Sequence, residues 1–158
     1  MEFKTYKDKF TTRNIVLALA QKNRQIIHGG QSTNIHLPYH LRRETTDFDI
    51  YTRRAKQEAE ELANQLNREY GKNFTVEPAI HKGTFKVKDW EGHTVADYTT
   101  QKGRKPKTTN VLGVHYSNPD YAEYKLKKVV KNKDLSFRHE KDLDTIRRIK
   151  QYKKIKVW

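Results

Sequence analysis

The sequence predicts an α+β chain: a mixed β-sheet with flanking helices and a short C-terminal helical segment. Three observations lead there. A long helical pattern, Arg53 to Tyr70, separates an acidic strand from three strand-like runs. The segment Asp89-Trp90-Glu91-Gly92 has the turn chemistry to join two of those runs as a hairpin. Beyond Asn118-Pro119, a helix-starting pair, the apolar spacing becomes helical again.

The elements follow in order. Thr12 to Gln21 places Ile15, Val16, Leu19 and Ala20 at helical spacing, with Thr11 or Thr12 as N-cap. Gln25 to His28 reads as a short strand stopped by Gly29-Gly30, and Gln31 to Leu41 as a short helix interrupted near Pro38. A strand over Asp47 to Tyr51 follows. In the helix from Arg53 to Tyr70, Ala55, Ala59, Leu62, Ala63 and Leu66 share one face, and Gly71 is its stop. Strands are predicted at Phe74–Ile80, Thr84–Lys88 and Thr94–Thr99. Gln101 to Thr109 is basic, apolar-free and punctuated by glycine and proline, hence a mobile loop. Val111 to Tyr116 adds one strand. A helix after Asn118 carries Ala122, Leu126, Val129 and Val130 inward, and a last helix runs from His139 to Tyr152 ahead of a frayed basic tail. We read residues 1–158 as a single domain, with a core over about 12–116 and a basic helical segment over about 117–152.

Composition narrows the function. The 158 residues contain no cysteine, which excludes disulfides, thiolate metal sites and cysteine nucleophiles. No apolar run is long enough to span a bilayer, and the N-terminus lacks the apolar core of a signal peptide. An intracellular, membrane-free setting is therefore expected. The net charge of +14 is uneven. Residues 1–100 hold 16 lysines and arginines against 13 acids, whereas residues 101–158 hold 17 against 6. A basic third of this kind attracts polyanions, nucleic acid above all; the plainer alternative is a lysine-rich solvated surface.

Asp47 and Asp49 are the most informative pair. In a strand, residues two apart face the same way, so both carboxylates project together while Phe48 and Ile50 face a core. Their mutual repulsion is best relieved by a divalent cation, and paired metals on phosphoryl groups are the commonest use of such a platform. The competing reading is a strand end with two solvated aspartates. Asp97, in Val95-Ala96-Asp97-Tyr98, is the best third ligand; Asp89, Glu91 and Glu77 are weaker. Gly29-Gly30 closes a strand and opens a helix, where backbone N–H groups favour phosphate oxygens and Ser32 and Thr33 offer hydroxyls.

The ordered set Ile27-His28-Gly29-Gly30, Thr46-Asp47-Phe48-Asp49-Ile50 and Val95-Ala96-Asp97-Tyr98 resembles the nucleotidyltransferase superfamily, the fold of DNA polymerase beta and of minimal toxin and antitoxin nucleotidyltransferases. The stretches Tyr124-Lys125-Leu126 and Lys141-Asp142-Leu143-Asp144 are similar to the helical segment of its abortive-infection branch. The resemblance spans roughly residues 14 to 150. It implies a nucleotidyltransferase core and a nucleoside triphosphate substrate, with Mg²⁺ or Mn²⁺ held by Asp47, Asp49 and Asp97. It also implies triphosphate contacts from Gly29, Gly30, Ser32 and Lys125. Two departures stand out: glutamine, not serine, follows Gly30, and the gap to Asp47 is long. Either implies altered nucleotide placement or a fold that has lost catalysis.

Lys102, Arg104, Lys105 and Lys107 on the loop, with Lys127 and Lys128 on the following helix, are the expected contacts to an RNA or DNA acceptor. Tyr98, Tyr116 and Tyr121 are candidates for stacking on a base. His28 is placed to touch a nucleotide or to be buried and hydrogen-bonded, and His36 and His40 read as surface residues. Three functions stay open at this point: a metal-dependent nucleotidyltransferase, a metal-dependent nuclease using the same carboxylates, and a non-catalytic nucleic-acid-binding protein. The Gly-Gly element favours the first over the second, since a nuclease needs no triphosphate cradle.

Overall fold

The computed structural model describes the backbone of residues 6–120, 127–128, 131 and 139–156. Its centre is built by one strongly amphipathic helix. Ala55, Ala59, Leu62, Ala63 and Leu66 of α3 (Ala55–Tyr70) are all buried, as their spacing predicts. Gly71 ends the helix in the left-handed conformation, φ 61°, its N–H donating to the Asn67 carbonyl at 2.9 Å.

Helix α1 (Tyr6–Lys22) begins six residues before the expected Thr12. Thr12 is therefore not a cap. It is buried inside the helix, its hydroxyl 2.7 Å from that of Tyr70 on α3. Val16, Leu19 and Ala20 join the same core cluster. Strand β1 (Ile26–His28) runs into α2 (Gly29–His36), which starts at the glycine pair rather than at Gln31. A single 3₁₀ turn over Tyr39–Leu41 follows Pro38.

Seven strands among the described residues form one mixed sheet. In chain order the rest are β2 (Phe48–Thr52), β3 (Thr75–Pro78), β4 (Thr84–Lys88), β5 (Thr94–Thr100), β6 (Thr108–Val111) and β7 (Val114–Ser117). Their spatial order is β3-β4-β5-β2-β1-β7-β6, with β2 in the middle. Strand β2 is parallel to β5 and antiparallel to β1, and β1 is parallel to β7. The expected hairpin joins β4 to β5. Its turn is fixed by the Asp89 carboxylate, which accepts the N–H groups of Glu91 and His93, both at 2.9 Å.

The expected single strand over Val111–Tyr116 is instead a second hairpin. Leu112 (φ 50°) and Gly113 (φ 85°) form a two-residue turn between Val111 and Val114, and β6 begins in the last two residues of the stretch expected to be loop. Thr108-Thr109-Asn110 lacks the apolar alternation that marks a strand. Its pairing with β7 across the turn supplies the order. Past β7, Asn118 does cap a helix, accepting the Asp120 N–H at 2.9 Å, and residues 127, 128 and 131 are helical. Lys125, Leu126, Ala122, Val129 and Val130 lie outside the described residues. The last helix, α4 (His139–Lys156), extends four residues beyond the expected end at Tyr152, through most of the stretch expected to fray. No helix among the described residues is long and apolar enough to cross a membrane.

Register decides which side chains meet. On one face of the sheet Ile27, Ile50, Tyr98, Ala96 and Val87 are fully buried against α1 and α3. The other face carries a transverse row, one residue per strand: Glu77, Lys86, Asp97, Asp49 and His28.

Candidate active site

Asp49 and Asp97 are direct neighbours in that row, on adjacent parallel strands. Parallel strands lie about 4.8 Å apart, so the pairing alone sets the carboxylates at a distance that two ions or one can bridge. Asp47 precedes the first residue of β2 and turns its carboxylate to the same place. One oxygen from each of Asp47, Asp49 and Asp97 lies within 4.8 Å of the other two, and all three residues are half-buried. Three hard oxygen donors with no nitrogen or sulfur ligand suit Mg²⁺ or Mn²⁺. The donor set thus fits the metal that the motif implies.

Gly29 explains how Asp49 reaches its position. It has φ +68°, and a β-carbon there would stand 2.2 Å from Asp49 Oδ2. Any other residue would push the carboxylate aside. The same glycine opens α2, so the aspartate triad sits against a helix N-terminus whose partial positive charge favours anionic oxygens. Gly30 is less constrained, with Thr45 3.4 Å from its added carbon.

Gln31, which follows the glycine pair, has a structural role. It is buried, and its amide donates to the carbonyls of Thr45 (3.3 Å) and Asp47 (3.2 Å) while its oxygen accepts from Arg13 Nη1 at 3.0 Å. Arg13 in turn lies over the Phe48 ring. Gln31 thereby pins the segment that carries Asp47 and spans the long gap after Gly30.

Ser32 is buried with its hydroxyl donating to the Ser117 carbonyl at 2.5 Å and accepting from the Ser117 hydroxyl at 2.9 Å, so it is committed to packing α2 on β7. Thr33 is buried as well. His28 stacks on Tyr51, ring centroids 3.7 Å apart, next to Asp49 in the row. His36 is half-buried rather than a surface residue: its ring bonds the Ser32 carbonyl (2.9 Å) and Thr109 (2.8 Å), tying α2 to β6. His40 is exposed as expected. Tyr98 does not face a base. It is fully buried on the core face, where burial, then the charges of Glu58 and Glu61, push its phenol far up. Tyr116 is buried there too, its phenol raised chiefly by burial, and Tyr121 lies outside the described residues. Of the weaker acids, Asp89 serves the β4–β5 turn and Glu77 pairs with Lys88 at 2.5 Å.

Lys102, Arg104, Lys105 and Lys107 are all exposed on the segment between β5 and β6. This segment leaves β5 beside Thr52 and ends with the Lys107 carbonyl accepting from the Asn118 N–H at 2.8 Å. Lys107 thus reaches the level of Asp49 but three strands away, about 14 Å at ordinary strand spacing. Lys127 and Lys128 are exposed and helical. Lys125 belongs to the segment outside the described residues. Lys86, which no sequence motif marks, has its ammonium 3.2 and 3.3 Å from the two Asp97 oxygens. Only the register of β4 on β5 brings it there.

No protein-family model matches this sequence, and no curated protein matches it. Its fold does match solved structures. The Megavirus polyadenylate synthase superposes with a TM-score of 0.79 at 16% identity, over 96% of this chain and 32% of that one. A protein of H. pylori assigned as a nucleotidyltransferase matches with a TM-score of 0.50 at 10% identity, over 96% of this chain and 77% of that one. The chain spans about a third of the length of the viral enzyme. It has a nucleotidyltransferase-like fold.

Proposed function

We propose that this protein is a divalent-metal-dependent nucleotidyltransferase that moves a nucleotidyl group from a nucleoside triphosphate to a hydroxyl of an RNA acceptor. The observation that carries this reading is the in-register placement of Asp49 and Asp97 on parallel neighbours, with Asp47 within 4.8 Å of both. The fold shared with a polyadenylate synthase supports it, and so does the basic balance of residues 101–158.

Asp47 and Asp49 would hold one divalent ion, and Asp97 would help to hold a second. When bound, such ions supply the positive charge that favours both the entering and the leaving oxygen. The backbone N–H groups at the start of α2, beside the aspartates, would receive the triphosphate oxygens. Asp97 accepts the proton of the acceptor hydroxyl at a carboxylate oxygen. The hydroxyl oxygen bonds to the α-phosphorus as pyrophosphate departs. The loop cations Lys102, Arg104, Lys105 and Lys107, with Lys127 and Lys128, hold the acceptor backbone without reading its sequence.

The test is incubation with each α-labelled nucleoside triphosphate, with Mg²⁺ or Mn²⁺, alongside RNA, DNA and protein acceptors. Label should pass to RNA, and Asp47→Asn should lower the rate by about 10²–10³-fold with an unchanged circular dichroism spectrum. Shortened RNA without label would identify a nuclease instead. Labelling that is indifferent to Asp47→Asn would show the aspartates to be incidental.

A further inference from the structure

Lys86 is a charge placed within the carboxylate cluster by the sheet itself. The transverse row runs Glu77, Lys86, Asp97, Asp49, so Lys86 has an acid directly across from it on either side. Geometry decides between the two. Glu77 is taken by Lys88, one pleat further along β4, at 2.5 Å. Lys86 turns the other way and lies almost equidistant from both oxygens of Asp97. Its side chain is 33% exposed and that of Asp97 20%, so this pair is less screened than a free surface ion pair.

We infer that Lys86 is a built-in counter-ion that holds Asp97 while the site is free of metal and yields it when a divalent ion arrives. This rests on the metal-dependent reading above. Three carboxylates within 4.8 Å repel one another, and an ammonium relieves part of that repulsion. It does so at Asp97, lying close to both of its oxygens. Lysine suits the task because its flexible stem lets the charge withdraw without moving the backbone, whereas a guanidinium fork would clamp the carboxylate. Lys86 is accordingly a positioning residue. It acts through Asp97.

Mn²⁺ titration followed by electron paramagnetic resonance, together with melting curves in EDTA, tests this on the full chain. Lys86→Gln should bind Mn²⁺ about tenfold more tightly, since a competing positive charge a few ångströms away is gone. It should melt below wild type in EDTA, and the gap should close on adding Mn²⁺. Lys86→Arg should restore the melting temperature in EDTA and weaken Mn²⁺ binding relative to Lys86→Gln. Lys22→Gln removes an equal charge from a pair with Glu61, 3.0 Å long, outside the carboxylate cluster, and should leave Mn²⁺ affinity unchanged. If wild type binds Mn²⁺ and Asp47→Asn abolishes this, but Lys86→Gln matches wild type in affinity and in EDTA melting, the inference is overturned and the metal site stands. If wild type binds no Mn²⁺, the catalytic reading falls and the inference with it.

Discussion

Replacing Gly29 by alanine should disable the site through one carbon atom, and the size of the effect follows from the contacts. At φ +68° any L side chain is strained, by about 1–2 kcal/mol. The new carbon would also stand 2.2 Å from Asp49 Oδ2, where ordinary contact begins at 3.4 Å, a shortfall of about 1.2 Å. Rotating the carboxylate relieves only part of this, because Asp49 Cγ and Cβ, at 3.1 and 3.2 Å, are still tighter than ordinary contact. The whole side chain must move, and it is anchored on the central strand. Metal ligands tolerate about 0.2 Å, and a 1 Å misplacement in an active site costs on the order of 10²-fold in rate. Gly71→Ala isolates the backbone component, since Gly71 has φ +61° and nothing within 4 Å of the added carbon. Gly29→Ala should lose at least as much thermal stability as Gly71→Ala, the excess coming from the clash. Gly29→Ala alone should lose Mn²⁺ binding and about two orders of magnitude in transfer rate. Mn²⁺ affinity equal in the two variants would refute the argument that Gly29 exists to admit Asp49.

Two further outcomes follow. Burial, above all, raises the Glu58 carboxyl above its ordinary 4.5, outweighing the hydrogen bond from Gln25. Its protonated form is therefore favoured by folding, and its contribution to stability is present at low pH and lost as pH rises through 4.5 toward the raised value. Hydrogen bonds from Asn23 and Lys22 lower the Glu61 carboxyl, and its contribution runs the opposite way, lost as pH falls. Glu58→Gln should thus raise the melting temperature at pH 7 and leave it near wild type at pH 4; an equal change at both pH values would contradict the assignment. Replacing Lys102, Arg104, Lys105 and Lys107 with serine should weaken RNA binding for all sequences and flatten the salt dependence by roughly 0.7–0.9 of a log unit per lost contact. Triphosphate binding should barely change, and fluorescence anisotropy across a potassium chloride series reads both; a salt slope equal to wild type would mean that the loop does not touch the acceptor.

The parts of the molecule legible in sequence are those whose signal is local. Helix α3 was readable because five apolar residues repeat at helical spacing, and β4 because Phe85 and Val87 sit in a short run bounded by turn residues. Asp47, Asp49 and Asp97 stood out by spacing and flanking residues, and the structure brings them together. What escaped depended on pairing, register and strand parity rather than on a local apolar pattern. Strand β6 is polar and exists by pairing with β7. Tyr98 alternates with Asp97 and so must face the core, a consequence that strand parity already contained. Lys86 and Gln31 carry no motif. Their roles arise from a strand register and from a side chain reaching 16 residues along the chain to the Asp47 carbonyl.

The unequal mounting of the three aspartates has a consequence for how the protein loosens. Asp49 and Asp97 are woven into the middle of a seven-stranded sheet, and freeing either requires breaking ladder hydrogen bonds on both sides. Asp47 lies just outside β2 on a segment tied down by Gln31. In the vocabulary of amide hydrogen exchange, the first two should belong to the slowest-opening unit of the fold and the third to a faster one. Thermal fluctuation should therefore dismantle the centre from the Asp47 side, leaving a two-carboxylate remnant on an intact sheet. Such a remnant can still attract a cation while lacking the third ligand that fixes its place. An enzyme of this design would lose turnover on warming well before it loses its fold.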